Sequence, residues 1–344
     1  MRPQSDYSAD TQAAFRRIRR IATIALGVAV IHVVFGAIVR ITGSGMGCGD
    51  HWPKCYGSFF PPLNRPDLII EISHRYLASI VGLLVLILAI TAFSLRRVAR
   101  VSKPKGPLNP AIAALVAVIA TGLLGGVTVK MGNSLLATVA HWILALTLLA
   151  LLVMTIVRAA DWHEDARGVS DKTFRIAAAA AGLSAIVVIM GGVTAKYPGA
   201  PIACLSFPLC GANPDVPVAA GHIQMTHRVL AILLVLHLVG SYFGVRKRRA
   251  VEAADVLRAA AVVAVLGVVQ ILIAGAMIGM KLPPVLRSAH QAVGVAIWIS
   301  AFAYMYMARV ASRPLETVEI FPEQRKSGPR KTVERISLST REME

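Results

Sequence analysis

Apolar residues fall into eight long runs, at about 19–41, 71–95, 110–130, 135–157, 174–195, 221–244, 257–280 and 286–309, with the charged residues gathered between them. Each run has about 20 residues or more, enough for a helix to cross a bilayer core of roughly 30 Å at about 1.5 Å per residue. The runs are rich in Ala, Val, Leu, Ile and Gly, a composition that lets helices pack closely in lipid. The pattern predicts an all-α integral membrane protein with eight transmembrane helices.

The runs repeat as two sets of four. Gly36-Ala37-Ile38-Val39 near the end of the first run and Gly191-Gly192-Val193-Thr194 near the end of the fifth are each followed by a loop with two cysteines. Glu71-Ile72-Ser73-His74-Arg75 opens the second run and Gln224-Met225-Thr226-His227-Arg228 opens the sixth. Gly125-Gly126-Val127-Thr128 in the third is answered by Gly275-Ala276-Met277 in the seventh. Four crossings per half keep both halves in one orientation. The expected architecture is therefore two tandem four-helix bundles related by a pseudo-two-fold axis along the membrane normal. The divisions are 1–18 (cytoplasmic segment), 19–157 (first half), 158–173 (cytoplasmic linker), 174–309 (second half) and 310–344 (cytoplasmic, poorly ordered tail).

Composition narrows the class. With 56% hydrophobic and 16% charged residues, the chain is too apolar for an ordinary soluble domain. Its net charge of +18 first suggests nucleic acid. However, 27 of the 36 lysines and arginines lie in 1–20, 96–109, 158–175, 246–258 and 309–344, all on one side of the predicted topology. That is the positive-inside bias, with both termini in the cytoplasm, and no nucleic-acid partner is expected. The first run is too long for a cleavable signal and no small-residue cleavage site follows it.

All four cysteines fall in the two predicted outer loops. In an oxidising compartment, Cys48–Cys55 and Cys204–Cys210 are the expected disulfides, either as staples or as redox-active pairs. A metal site on Cys48, His51 and Cys55 is a weaker reading, because a fourth ligand is missing nearby.

Four histidines, His74, His141, His227 and His290, lie near the starts of the even-numbered runs. Imidazoles inside a bilayer are costly and usually functional. At repeat-equivalent places on parallel helices, they read as two axial pairs for two haem irons near the outer surface. His32 and His237 lack repeat partners and read as packing residues, and His222 as interfacial. Met277 and Met280 read as core filling.

One difference separates the halves. Glu71 lies one helical turn before His74, where the second half has Gln224. A carboxylate can take part in proton chemistry or stabilise a developing cation, whereas an amide can only hold and orient. Catalysis is thus expected in the first half and a resident redox haem in the second. Arg75 and Arg228 are candidates for haem propionate contacts or, equally, for interface anchors.

With these motifs, the chain resembles the haem A synthase family over about residues 15–310. The carrying features are Glu71-x-x-His74-Arg75, Gln224-x-x-His227-Arg228, His141, His290, the Gly-rich helix ends and the loop cysteine pairs. The resemblance implies oxidation of a ring methyl of haem O to a formyl group through a hydroxymethyl intermediate, for use by terminal oxidases, with oxygen expected from water. It implies haem b on His227 and His290, the substrate haem O near His74 and His141, and Glu71 as the essential acid. Membrane lipid, a haem O synthase as donor, an electron acceptor of unknown identity and a homo-oligomer are the partners to consider. The cysteine pairs match bacterial members, which places the chain in a bacterial inner membrane. Two other readings compete. A di-haem quinol-linked carrier would explain the histidines but not the Glu71/Gln224 difference. A transporter would use the same groups as a proton relay.

Overall fold

The structure is a computed structural model, and it describes residues 9–62, 64–160 and 169–311. The tail and much of the linker between the halves lie outside the described residues. Among the described residues there are eight α-helices and no strand: α1 (Ala9–Ile41), α2 (Pro66–Ser94), α3 (Leu108–Lys130), α4 (Leu135–Arg158), α5 (Asp171–Lys196), α6 (Val218–Lys247), α7 (Ala254–Gly279) and α8 (Pro284–Ala311). Each is long and apolar enough to cross a membrane, and the protein is a multi-pass membrane protein.

Several helices run past the apolar stretches that predicted them. α1 begins at Ala9 and carries Arg16, Arg17, Arg19 and Arg20 on regular helix. The backbone has no reason to stop where the apolar run stops, because long basic side chains can reach the interface while their stems stay on the helix.

Within the first four helices, α1 packs on α2 and α4, and α3 on α2 and α4. The second four close the same way, and the two sets meet through α4 with α5 and α8, and α1 with α8. Lipid gives little hydrophobic drive for helix association, so close approach of small residues has to supply the packing. Ala22, Ala25 and Ala29 of α1 share one buried cluster with Ala111 and Ala114 of α3, Leu149 and Leu152 of α4, and Val85 and Leu88 of α2. Ala177 and Ala180 of α5 share another with Leu234 and Leu238 of α6, Ala260 and Val263 of α7, and Ala301 and Tyr304 of α8. The outward faces are also apolar, with Ile31, Leu83, Val116, Leu236 and Leu272 exposed.

Opposite the cysteine loops, a polar knot ties α5 to the α6–α7 turn. Buried Glu252 accepts from Ser170 Oγ (2.6 Å), Thr173 Oγ1 (2.7 Å) and Arg248 Nε (3.2 Å), while Ser170 caps α5 through the Thr173 amide. Burial alone would raise its carboxyl pKa, but the bonds from Ser170, Thr173 and Arg248 outweigh that and hold it below the usual range.

Candidate functional site

The four histidines stand about two turns inside the starts of α2, α4, α6 and α8, all toward the face that carries the cysteine loops. Three of them rest on glycines of the preceding helix. A Cβ at Gly36 would stand 3.2 Å from His74 Cε1, one at Gly125 3.2 Å from His141 Cε1, and one at Gly191 3.1 Å from His227 Cε1. A side chain at any of these glycines would push the ring edge back by a few tenths of an ångström. At the fourth place the sequence has Ala274, and His290 is instead met by Gln270, whose Nε2 lies 3.3 Å from the ring nitrogen and donates to the His290 carbonyl at 3.0 Å.

The structure brings the histidines together as two groups. His74 is within electrostatic reach of His141, and His290 of His227. The Nδ1 atoms of His74, His227 and His290 are buried without a hydrogen-bond partner. His141 Nδ1 lies 3.0 Å from the Thr121 carbonyl, which can only accept, so its Nε2 carries the free lone pair. The buried, unpartnered Nδ1 atoms of His74, His227 and His290, with the free lone pair of His141, give each group two imidazoles that fit ligation of a haem iron. His237 differs: its Nε2 meets the Ile176 carbonyl at 3.0 Å, as a packing histidine's should.

The loops close this face in parallel ways. Disulfides Cys48–Cys55 and Cys204–Cys210 are formed, which leaves no thiol for the alternative metal site, and no cluster suited to a metal ion occurs among the described residues. Glu71 Oε2 accepts the Cys48 amide at 2.8 Å, and Gln224 Oε1 accepts the Cys204 amide at 2.6 Å. The two residues thus share one structural task. Glu71 adds a salt bridge to Arg75 that Gln224 cannot make. Arg75 also donates to the Pro53 and Lys54 carbonyls, and Arg228 to those of Cys204, Ser206, Pro208 and Leu209. Both guanidinium groups are turned to their loops and hold loop carbonyls, a use the sequence reading did not name. Trp52 lies against Gly126 of α3, and Phe207 against Gly275 of α7.

Two residues near the histidines escaped the sequence reading. His32, taken for a packing residue, stacks on His74 with ring centroids 4.2 Å apart and 26° between planes. Trp142, next to His141, lies against Gly192 of α5, beside the glycine that cushions His227. The signal for His32 was its position one turn before Gly36, the glycine under His74.

These features define a multi-pass membrane protein with two buried histidine pairs, one in each set of four helices, under disulfide-stapled loops. The model of the cytochrome oxidase assembly protein family matches residues 19–302. Heme A synthase of Shouchella clausii is 31% identical over 228 residues, covering 64% of this chain and 74% of that protein. Heme A synthase of Geobacillus kaustophilus is 29% identical over 213 residues, covering 61% and 66%. That of Bacillus licheniformis is 32% identical over 233 residues, covering 66% and 74%. The chain belongs to the haem A synthase family, a family of oxidoreductases.

Proposed function

We propose that this protein oxidises a ring methyl of haem O to the formyl group of haem A, with haem O in the first half and a resident haem b in the second. The observation that carries this reading is the asymmetry at the two histidine pairs. Both pairs have the donors for a haem iron, but only the first has a carboxylate, Glu71, one turn from its histidine and held by Arg75. His74 and His141 would hold the substrate, and His227 and His290 the resident group.

Each oxidation removes two electrons and two protons. The methyl carbon with one water gives hydroxymethyl, and hydroxymethyl gives the aldehyde. A haem b held by His227 and His290 would supply a one-electron exit to an acceptor of unknown identity. The negative charge of Glu71, one turn from His74, would stabilise a carbon that has lost electrons. Arg75 and the Cys48 amide fix the two carboxylate oxygens, so the charge stays in place rather than following the substrate. Arg75, Arg228 and the disulfides hold the loops over the sites.

The two sets of helices act as tandem halves under a pseudo-two-fold axis, at 19–157 and 174–309. Exchange of α1–α4 with α5–α8 leaves the pattern of helix contacts between them unchanged, which supports this. The basic residues between helices support cytoplasmic termini, and the loop cysteine pairs support a bacterial inner membrane. The haem O then arrives within the bilayer, from the enzyme that attaches its hydrophobic tail. Membership of the family weighs against the electron-carrier reading.

The test is haem extraction and chromatography from cells that make haem O, with and without this protein. Haem A or its hydroxymethyl precursor should appear only with it. Unchanged haem O beside a folded protein holding two b-type haems would refute the reading.

A further inference from the structure

The histidine group of the first half has three imidazoles, and that of the second has two. His32 sits on α1 one turn before Gly36. Val187 sits on α5 one turn before Gly191, and is buried in the apolar core of its half. Since Gly36 and Gly191 cushion His74 and His227 in the same way, His32 and Val187 hold corresponding places. One half therefore has a polar ring where the other has an aliphatic side chain.

His32 keeps one ring nitrogen open. Its Nε2 is buried with no hydrogen-bond partner, whereas His237 finds a carbonyl. A buried polar atom left without a partner is costly, and such atoms persist where a ligand supplies the bond. His32 also lies within electrostatic reach of His141, so it belongs to the same group of rings.

The stack limits what His32 can do. Two near-parallel rings 4.2 Å apart cannot both bind one iron from the same side of a flat macrocycle. If His74 is the ligand, His32 lies beside the axial position, toward the ring's edge. Haem O differs from protohaem at one of its edges, where a hydroxylated farnesyl chain replaces a vinyl group. A hydroxyl both donates and accepts, so it can satisfy Nε2 in either imidazole tautomer.

We propose that His32 is a specificity residue of the first half. Its ring braces His74, and its free Nε2 takes the hydroxyl that distinguishes haem O from protohaem. The proposal rests on the reading of the first half as the haem O site. It also explains the apolar Val187, since a half that keeps haem b has no hydroxyl to recognise.

The experiment uses the full-length protein in detergent, with the second-half haem b as a marker of folding. Haem O and protohaem are titrated into the first half of the wild type, of His32→Phe and of His32→Val. Phenylalanine keeps a ring to stack on His74 and removes the nitrogen. The wild type should prefer haem O by about tenfold or more, the worth of one well-made buried hydrogen bond. His32→Phe should bind protohaem as the wild type does and lose the preference. His32→Val should weaken both and alter the low-spin electron paramagnetic resonance signal of the first-half haem, because His74 loses its brace. A preference that survives in His32→Phe, or that is absent from the wild type, overturns the proposal. Haem A formation by the wild type is scored separately. Its absence together with a lost preference in His32→Phe would remove the proposed reaction and leave the recognition site.

Discussion

Glu71 has two roles that a pair of substitutions can separate. Its Oε2 accepts the buried Cys48 amide at 2.8 Å, and its other oxygen pairs with Arg75. Glu71→Ala removes both contacts: the buried Cys48 N–H is left unpaired, at a cost of about 1–3 kcal/mol, and Arg75 loses its counter-charge while keeping the Pro53 and Lys54 carbonyls. The second half shows what a gentler change does, because Gln224 meets the Cys204 amide at 2.6 Å with an uncharged side chain. Glu71→Gln should therefore keep the Cys48 bond, lose only the charge-assisted part of the Arg75 pair, and cost about 1 kcal/mol. The chemistry responds differently. A positioned carboxylate acting on a reacting group is worth about 10²–10⁴ in rate, and glutamine supplies none of it. In cells making haem O, Glu71→Gln should show intact disulfides by thiol labelling, normal haem b and a melting temperature within a few degrees of wild type, with haem A reduced by about 100-fold or more. Glu71→Ala should lose haem A and loop stability together. Haem A at near wild-type levels in Glu71→Gln would refute the catalytic role and leave Glu71 as a loop staple.

Three further outcomes are expected. His227→Ala should purify without the resident haem b while His74→Ala retains it, read from the pyridine haemochrome spectrum; unchanged haem content in His227→Ala would refute that ligand. Gly126→Ala would place a Cβ 2.7 Å from the Trp52 ring and should cost about 1–3 kcal/mol in thermal stability, whereas Gly275→Ala, at 3.4 Å from Phe207, should change it little; equal effects would contradict the packing. The Glu252 carboxyl is held below its usual pKa, so the stability it confers is full above the ordinary carboxylate range and is lost as pH falls through the lowered value. Melting of Glu252→Gln should thus lie below wild type at neutral pH and converge with it in acid, and a constant gap would show that the charge is not the cause.

The spans and the two histidine groups were legible in the sequence for separate reasons. Apolar runs of bilayer length have few other uses. His74, His141, His227 and His290 recur with the repeat, so their convergence follows if the two halves fold alike. The arginines were harder. Arg75 and Arg228 each had a plausible anionic partner, and only the folded loops reveal how many carbonyls turn inward there and require a donor. The start of α1 was missed because hydropathy measures the membrane core and not the helix. His32 was missed because periodicity assigns a face to one helix but does not say which ring on α2 that face meets.

The matched and unmatched positions of the repeat fall into different places. Matched are the disulfides, the acceptors at Glu71 and Gln224, the loop-holding arginines, and the aromatic rings of Trp52 and Phe207 set on glycine. These hold the loops over the helices, a task both halves share. The unmatched positions crowd around the histidines: His32 against Val187, the Glu71 charge against Gln224, and the Gly125 cushion of His141 against Ala274 with Gln270 on His290. At the first two, the first half gains a polar or charged group. At the third, it loses bulk beside its histidine. A site that must admit, recognise and release a substituted macrocycle needs polar contacts and room, and one that keeps its ligand needs neither. On the proposed reading, these differences are what let one half hold a haem as a tool and the other hold one as a substrate.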